Sequence, residues 1–119
     1  MLFGHVAEAV DGSLAGFALW YVTYSTWEGK HGIYLEDLFV RPAFRRRGIG
    51  KVMLTWLASL AEQRGCGRLE WAVLDWNQPA IDFYKTLGAT PMAEWTVFRV
   101  TGAALRELAA SHDRAAPAK

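Results

Sequence analysis

Between Ile33 and Gly65 the apolar residues change their period in mid-chain. The stretch "IYLEDLFV", 33–40, alternates loosely at the two-residue period of a strand until Pro42 stops it. From Gly50 onward Val52, Met53, Trp56, Leu57 and Leu60 recur three and four apart, the period of one helix face. Gly65 falls where a helix stop is expected. Between the two lies "RPAFRRRGIGK", 41–51, with four arginines and a lysine around two glycines. A strand, a glycine-bearing loop and a helix in that order commit the chain to an α/β architecture, in which the helix crosses over to a parallel neighbour strand.

The rest of the chain fits around that unit. Leu2 to Ala9 and Leu14 to Tyr24 are rich in apolar and aromatic residues and flank Asp11-Gly12, a pair suited to a tight hairpin turn. Arg68 to Leu74 reads as a short strand. "DWNQP" then supplies capping side chains and an early proline before the helical set Ala80, Ile81, Tyr84 and Leu87, closed by Gly88. Thr96 to Val100 reads as a last strand and Ala103 to Ala110 as a short helix, with 111–119 a frayed, disordered tail. Three meander strands, helix, strand, helix and strand predict a mixed sheet with helices packed on it, an α+β variant of the α/β class. With 119 residues, 52% of them hydrophobic, the chain is expected to form one domain over 1–110, with no repeat and no linker.

Thirteen basic residues against twelve acidic ones leave a formal charge of only +1, so there is no overall basic field of the kind that draws nucleic acid. Any basic function must be local. The longest apolar run, Ala15 to Val22, falls well short of the roughly 20 residues of a membrane span. The N-terminus has no basic stretch ahead of an apolar block. The lone Cys66 has no internal disulfide partner, which fits a reducing cytoplasm. His5, His31 and His112 show no ligand spacing with one another or with Cys66, so they read as surface residues and no metal is implied.

At a helix N-terminus several N–H groups lack a partner within the helix, and the dipole adds positive potential, so an anion there is favoured. Gly48 and Gly50 let the main chain approach it. Arg45, Arg46, Arg47 and Lys51 can neutralise its charge, a combination better suited to a pyrophosphate than to a carboxylate. The glycine spacing is that of neither a P-loop nor a dinucleotide fingerprint. From the loop alone, a solvated basic turn capped by glycines remains an equal reading.

Arg45-x-x-Gly48-x-Gly50 after "LEDLFV" resembles the acetyl-coenzyme A motif of the GNAT superfamily of N-acetyltransferases. "YVTYSTWEGK", "IYLEDLFVRPAFRRRGIGK" and "AVLDWNQPAIDFYKTLGA" look like its diamine acetyltransferase branch, which includes spermidine/spermine and thialysine acetyltransferases. The resemblance runs from Gly16 to about Leu108. It departs at the start: members normally have a strand and two helices before the meander, and this chain begins inside what looks like their second strand. A start codon assigned too late is the expected reason, with a natural fragment or a covering partner subunit as alternatives.

The resemblance implies that the pyrophosphate of acetyl-coenzyme A is held by Arg45, Arg46, Arg47, Gly48, Ile49, Gly50 and Lys51. Its pantetheine would pair with the main chain of Leu38, Phe39 and Val40, whose N–H groups could also stabilise a thioester oxyanion. Asn77, Gln78, Pro79 and Ala80 would contact its other side, although Asn77 reads equally as a helix cap. Tyr84, in "DFYK", matches the tyrosine that protonates the leaving thiolate, although by periodicity alone such a residue is more often core with its hydroxyl at the rim. Glu36 matches the carboxylate assigned as general base, acting directly or through a water. An alkylammonium with a pKa of about 10.4 must lose a proton before it can attack. Strand alternation would send Glu36 and Asp37 to opposite faces, and the family pattern selects Glu36.

For the amine, Trp27 offers an aromatic face, and Glu28, Glu36, Glu70 and Glu94 are candidate carboxylates, each individually weak. "YSTW" and "LDWNQ" lean toward a thialysine or lysine-like amine, whereas polyamine-acetylating relatives tend to carry an acid at the position of Ser25. The expected function is transfer of acetyl from acetyl-coenzyme A to a primary amine of a small molecule, a short diamine or polyamine included, by a homodimer whose C-terminal strands mix between subunits. The alternative is a non-catalytic coenzyme A-binding module acting as a dimerising or regulatory subunit. Nucleic-acid binding through "RRRGIGK" is the weakest reading.

Overall fold

The computed structural model describes residues 1–26 and 28–114. The chain forms two compact units, Met1–Asn77 and Gln78–Lys119. The first holds a four-stranded sheet in the order β1-β2-β3-β4, made of Leu2–Glu8, Leu14–Ser25, Lys30–Val40 and Arg68–Glu70. The first three strands form an antiparallel meander; β3 and β4 are parallel and joined by helix α1, Ile49–Gln63. The mixed sheet and its crossover helix are as the sequence predicts.

The hairpin turn between β1 and β2 closes through Asp11, whose Oδ1 accepts hydrogen bonds from the Ser13 N–H at 2.9 Å and hydroxyl at 2.6 Å. These bonds favour the carboxylate and hold the Asp11 carboxyl below its ordinary range. Gly12 takes the positive φ of 86° that the turn requires. At its other end α1 closes in the Schellman pattern, with Cys66 N–H donating to the Ala61 carbonyl and Gly65 N–H to Glu62, at a Gly65 φ of 71°.

One face of the sheet carries Ala18, Trp20, Ile33 and Leu35, and α1 covers it with Met53, Leu54, Leu57 and Ala61. Trp20, Ile33 and Leu57 are the most completely buried side chains. The helix face is therefore turned from the one predicted: Val52 is 65% and Trp56 44% exposed, while Leu54 and Ala61 lie inside. Trp56 flanks the core and meets the His5 ring at 4.3 Å. His5 is more than a surface residue, since its Nδ1 accepts a hydrogen bond of 3.0 Å from the indole N–H of buried Trp20.

Three further expectations need correction. The strand expected over Arg68 to Leu74 leaves the sheet after Glu70, because its pairing with β3 covers only Gly32↔Arg68, Ile33↔Leu69 and Tyr34↔Glu70. The strand expected over Thr96 to Val100 does not form: those residues belong to no helix or strand and have no partner strand among the described residues, and β-propensity alone cannot supply one. The last helix, α3, spans Gly102–Arg114, so it continues four residues into what reads as tail. In the second unit it follows α2, Gln78–Thr86, in which Ile81, Tyr84 and Leu87 beyond its end are half-buried as their spacing predicts.

Candidate functional site

Two features of the first unit meet where β3 ends. On one side β3 is paired with β2 as far as Val40↔Gly16. On its other side pairing with β4 stops at Tyr34, so among the described residues the main chain from Leu35 to Val40 presents an open edge. Such an edge offers alternate N–H and carbonyl groups to any extended chain laid along it. Leu38, Phe39 and Val40, the residues singled out for the pantetheine, lie on that edge.

Past Val40 the chain makes a 3-10 turn at Pro42–Phe44, with proline's fixed φ at its start, and enters α1 through the arginine run. Arg46 has a left-handed φ of 66° and Gly48, the N-cap of α1, one of 76°. Gly48 has no side chain to cap the helix, and the N–H groups of Ile49, Gly50 and Lys51 have no acceptor within it. Val52 N–H is the first to find one, at the Gly48 carbonyl, 3.0 Å. A Cβ added at Gly50 would meet no atom within 4 Å, and its φ is not positive. Neither backbone conformation nor a neighbouring atom demands glycine there.

The arginines are not equivalent. Arg45 donates its Nε–H to the Val40 carbonyl at 2.9 Å and lies 5.8 Å from the Phe39 ring centre, so it ties the loop to the end of β3. Arg41 donates to the Leu14 carbonyl at 3.1 Å, and Arg47 lies over Phe44 at 5.4 Å. Arg46, Arg47 and Lys51 are exposed at the rim. The loop can thus cradle a phosphate group with main-chain donors and surround it with cations.

The sheet face opposite α1 carries the carboxylates. Between Leu19↔Asp37 and Trp20↔Leu35 the register shifts, leaving Glu36 as an extra residue on β3. A bulge suspends strict alternation, and Glu36 and Asp37 are both exposed, which corrects the expectation that they face opposite ways. Tyr34 lies beside them, stacked on Tyr21 with ring centres 5.2 Å apart. Burial first, then Tyr21, Glu36 and Glu70 as like charges, push the Tyr34 phenol above its ordinary value.

Glu28 and Glu70 converge on Arg68. Glu28 Oε1 accepts from Arg68 Nε at 3.1 Å and lies 3.1 Å from Nη2, Glu70 Oε2 lies 3.5 Å from Nη1, and Ser25 Oγ accepts from Nη2 at 3.0 Å. The hydrogen bond that Arg68 donates to Glu28, more than any other influence, holds the Arg68 proton more tightly than usual. Arg68 was not singled out from the sequence: it lies 40 residues from Glu28, a separation that no local pattern reports.

Trp27 lies outside the described residues. In the chain that follows, Asn77 donates its N–H to the Leu74 carbonyl at 2.9 Å. In α2, Gln78 Nε2 donates to Asp82 at 2.7 Å, Pro79 and Ala80 stand in the first turn, and Tyr84 is half-buried beside Phe83. Glu94 is exposed in the turn at 93–94. The structure therefore brings together the open β3 edge, the glycine loop, Glu36 and the Arg68 cluster within the first unit. Among the described residues no group of histidine, cysteine and carboxylate side chains is placed to hold a metal ion, and no helix is long and apolar enough to cross a membrane.

Residues 3–89 match the model of the acetyltransferase (GNAT) family. The chain is 48% identical over 105 residues to a thialysine N-epsilon-acetyltransferase of Sus scrofa, covering 86% of this chain and 61% of that protein. It is 45% identical over 98 residues to an L-ornithine N5-acetyltransferase of Arabidopsis thaliana, covering 82% of this chain and 43% of that one. The chain thus spans about three fifths of the first relative's length and less than half of the second's. Among solved structures, an integron cassette protein from V. cholerae superposes with a TM-score of 0.82 at 31% identity, over 91% of this chain and 66% of that one. With the open β3 edge, the glycine-capped α1 and these matches in agreement, the chain belongs to the GNAT acetyltransferase family, on the branch that holds the thialysine N-epsilon-acetyltransferases.

Proposed function

We propose that this protein transfers acetyl from acetyl-coenzyme A to the primary amine of a small molecule, with an amino acid bearing a side-chain amine as the preferred acceptor. The observation that carries this reading is the continuity of the open β3 edge, Leu35 to Val40, with the uncapped N-terminus of α1. An extended arm ending in a pyrophosphate needs both, in that order. The empty space around an added Gly50 Cβ is the room such a group requires. Acetyl-coenzyme A supplies an activated thioester; the chemistry left to the protein is binding, orientation and proton movement.

Main-chain groups of Leu38, Phe39 and Val40 hold the pantetheine. The N–H groups of Gly48, Ile49, Gly50 and Lys51 hold the pyrophosphate, with Arg46, Arg47 and Lys51 at its rim and Arg45 bracing the loop. Asn77, Gln78, Pro79 and Ala80 contact the far side of the arm, a role supported by the "DWNQP" resemblance. Glu36, exposed at the bulge and without an ion pair among the described residues, takes the proton from the ammonium, directly or through a water. The freed amine attacks the acetyl carbon, the carbon–sulfur bond breaks, and the Tyr84 hydroxyl gives its proton to the departing thiolate. Tyr84 holds this role on the strength of the "DFYK" resemblance. Trp27 and Glu94 remain candidates for contact with the amine. The similarity to thialysine and ornithine acetyltransferases supports an amino acid acceptor. The acting species is a homodimer, which the exposed, unpaired 96–100 segment supports.

The test is coenzyme A release from acetyl-coenzyme A with thialysine, L-ornithine, L-lysine and spermidine offered separately beside a blank without amine. Release with the amino acids above the blank is expected. Binding of acetyl-coenzyme A without release in any arm would overturn the enzymatic reading and leave a coenzyme A-binding module.

A further inference from the structure

The Arg68 cluster occupies space that two glycines leave for it. A Cβ at Gly32 would stand 2.9 Å from Arg68 Cγ and 2.9 Å from Thr23 Oγ1, so the arginine stem crosses β3 through the gap where Gly32 has no side chain. That path brings the guanidinium from β4 to Ser25 on β2. A Cβ at Gly67 would stand 2.8 Å from Glu28 Oε1, so a side chain there would push the Glu28 carboxylate from its present place. Neither glycine has a positive φ, so backbone conformation does not account for them. Both leave room for the ion-paired cluster in its present arrangement.

The cluster also fixes the charge pattern of this face. Arg68 engages two of the four carboxylates found there, Glu28 and Glu70, and leaves Glu36 and Asp37 without an ion pair among the described residues. Glu36 is four residues along β3 from Gly32, over which Arg68 lies, a distance of about 13 Å. An acceptor whose reacting ammonium sits at Glu36 and which extends along the face toward β4 brings its far end to the guanidinium. A second ammonium there meets two carboxylates whose charge the guanidinium half neutralises, so it is held less firmly than it would be without Arg68. A far end whose ammonium stands beside its own carboxylate, as in an amino acid, depends less on that cluster.

We propose that Arg68 is a specificity-determining residue that disfavours acceptors carrying a second, uncompensated ammonium. The proposal rests on the reading that this face receives the amine. Binding constants for spermidine and L-ornithine, measured by calorimetry with coenzyme A present, test it in the full chain and in two variants. Arg68→Gln should raise the affinity for spermidine relative to L-ornithine by about 3- to 10-fold, the scale of one partly screened charge. Arg68→Lys, which keeps the charge, should stay close to the parent ratio. An unchanged ratio in Arg68→Gln, a Lys variant that behaves like the Gln variant, or no amine binding to any of the three would each overturn the proposal. If Arg68→Gln loses its fold by circular dichroism, Glu28→Gln decides. It leaves the guanidinium less compensated, so the ratio should fall about threefold, and a ratio that holds or rises overturns the proposal. Acetyl transfer is scored separately: amine binding that depends on Arg68 without transfer overturns only the enzymatic reading, and transfer indifferent to Arg68 overturns only this one.

Discussion

Gly48 has a left-handed backbone that glycine suits, whereas Gly50 has neither a positive φ nor a neighbour that a side chain would strike. The two glycines of one loop therefore answer to different constraints. Gly50→Ala should raise stability by about 0.4–1 kcal/mol, because alanine restricts the unfolded chain in a conformation it adopts without strain. The same methyl group intrudes on the space assigned to the pyrophosphate, so affinity for coenzyme A should drop about tenfold. Thermal melts and calorimetry on one sample read both; a variant that is stabilised and binds normally would remove Gly50 from the anion site. His5 is the converse, a residue that reads as surface yet serves the core. His5→Phe strands the indole N–H of buried Trp20, at a cost of about 1–3 kcal/mol. Urea denaturation should show that loss, and Trp20→Phe should cost less in the His5→Phe background than in the parent. Equal cost in both backgrounds would mean that the hydrogen bond contributes nothing.

At the scale of elements, β3 has a face covered by α1, which sets its register, and an opposite face that carries Tyr34, Glu36 and Asp37. Tyr34 reports on the second. Its phenol keeps its proton to higher pH in the folded chain than the ordinary value of about 10. Above about pH 10 the unfolded chain therefore binds fewer protons than the folded one, and stability contributed by Tyr34 falls as pH rises through that range, being complete below it. An absorbance titration of the parent against Tyr34→Phe should show the variant missing the latest-titrating phenol; loss of an early one would contradict the face as described. The same element shows what a sequence can and cannot convey. Alternation from Ile33 to Val40, the Asp11-Gly12 turn and the Gly65 stop are local, and each was legible because each arises within a few residues of chain. The bulge at Glu36 was not, since it depends on how β2 and β3 register across the sheet. Nor was the partnership of Glu28, Arg68, Gly32 and Gly67, which only the parallel return of β4 assembles. A pantetheine contact at Leu38 to Val40 rests on family resemblance alone; the physical cause of the open edge there, the departure of the chain from β3 after Glu70, is invisible in a sequence whose apolar residues continue to Leu74.

For the whole molecule, the segment 96–100 poses the remaining question of partners. Val97 is 87% and Phe98 90% exposed, and neither belongs to a strand among the described residues. A β-prone, apolar segment that has no partner strand among the described residues is a template for pairing with another chain, and burying one phenylalanine stabilises by about 1.5–3 kcal/mol. Two copies that pair this segment reciprocally bury it twice under one symmetric contact, which is the least elaborate way to satisfy it. Sedimentation equilibrium should accordingly return twice the chain mass, and Phe98→Glu should shift the population to monomer, because a carboxylate cannot enter a dry contact unpaired. The far-ultraviolet circular dichroism of that variant should retain the signal of β1 to β4 and α1, whose core of Trp20, Ile33 and Leu57 lies in the first unit. A parent that sediments as a monomer at every loading concentration would show that Phe98 faces water by itself, and the homodimer would have to be abandoned.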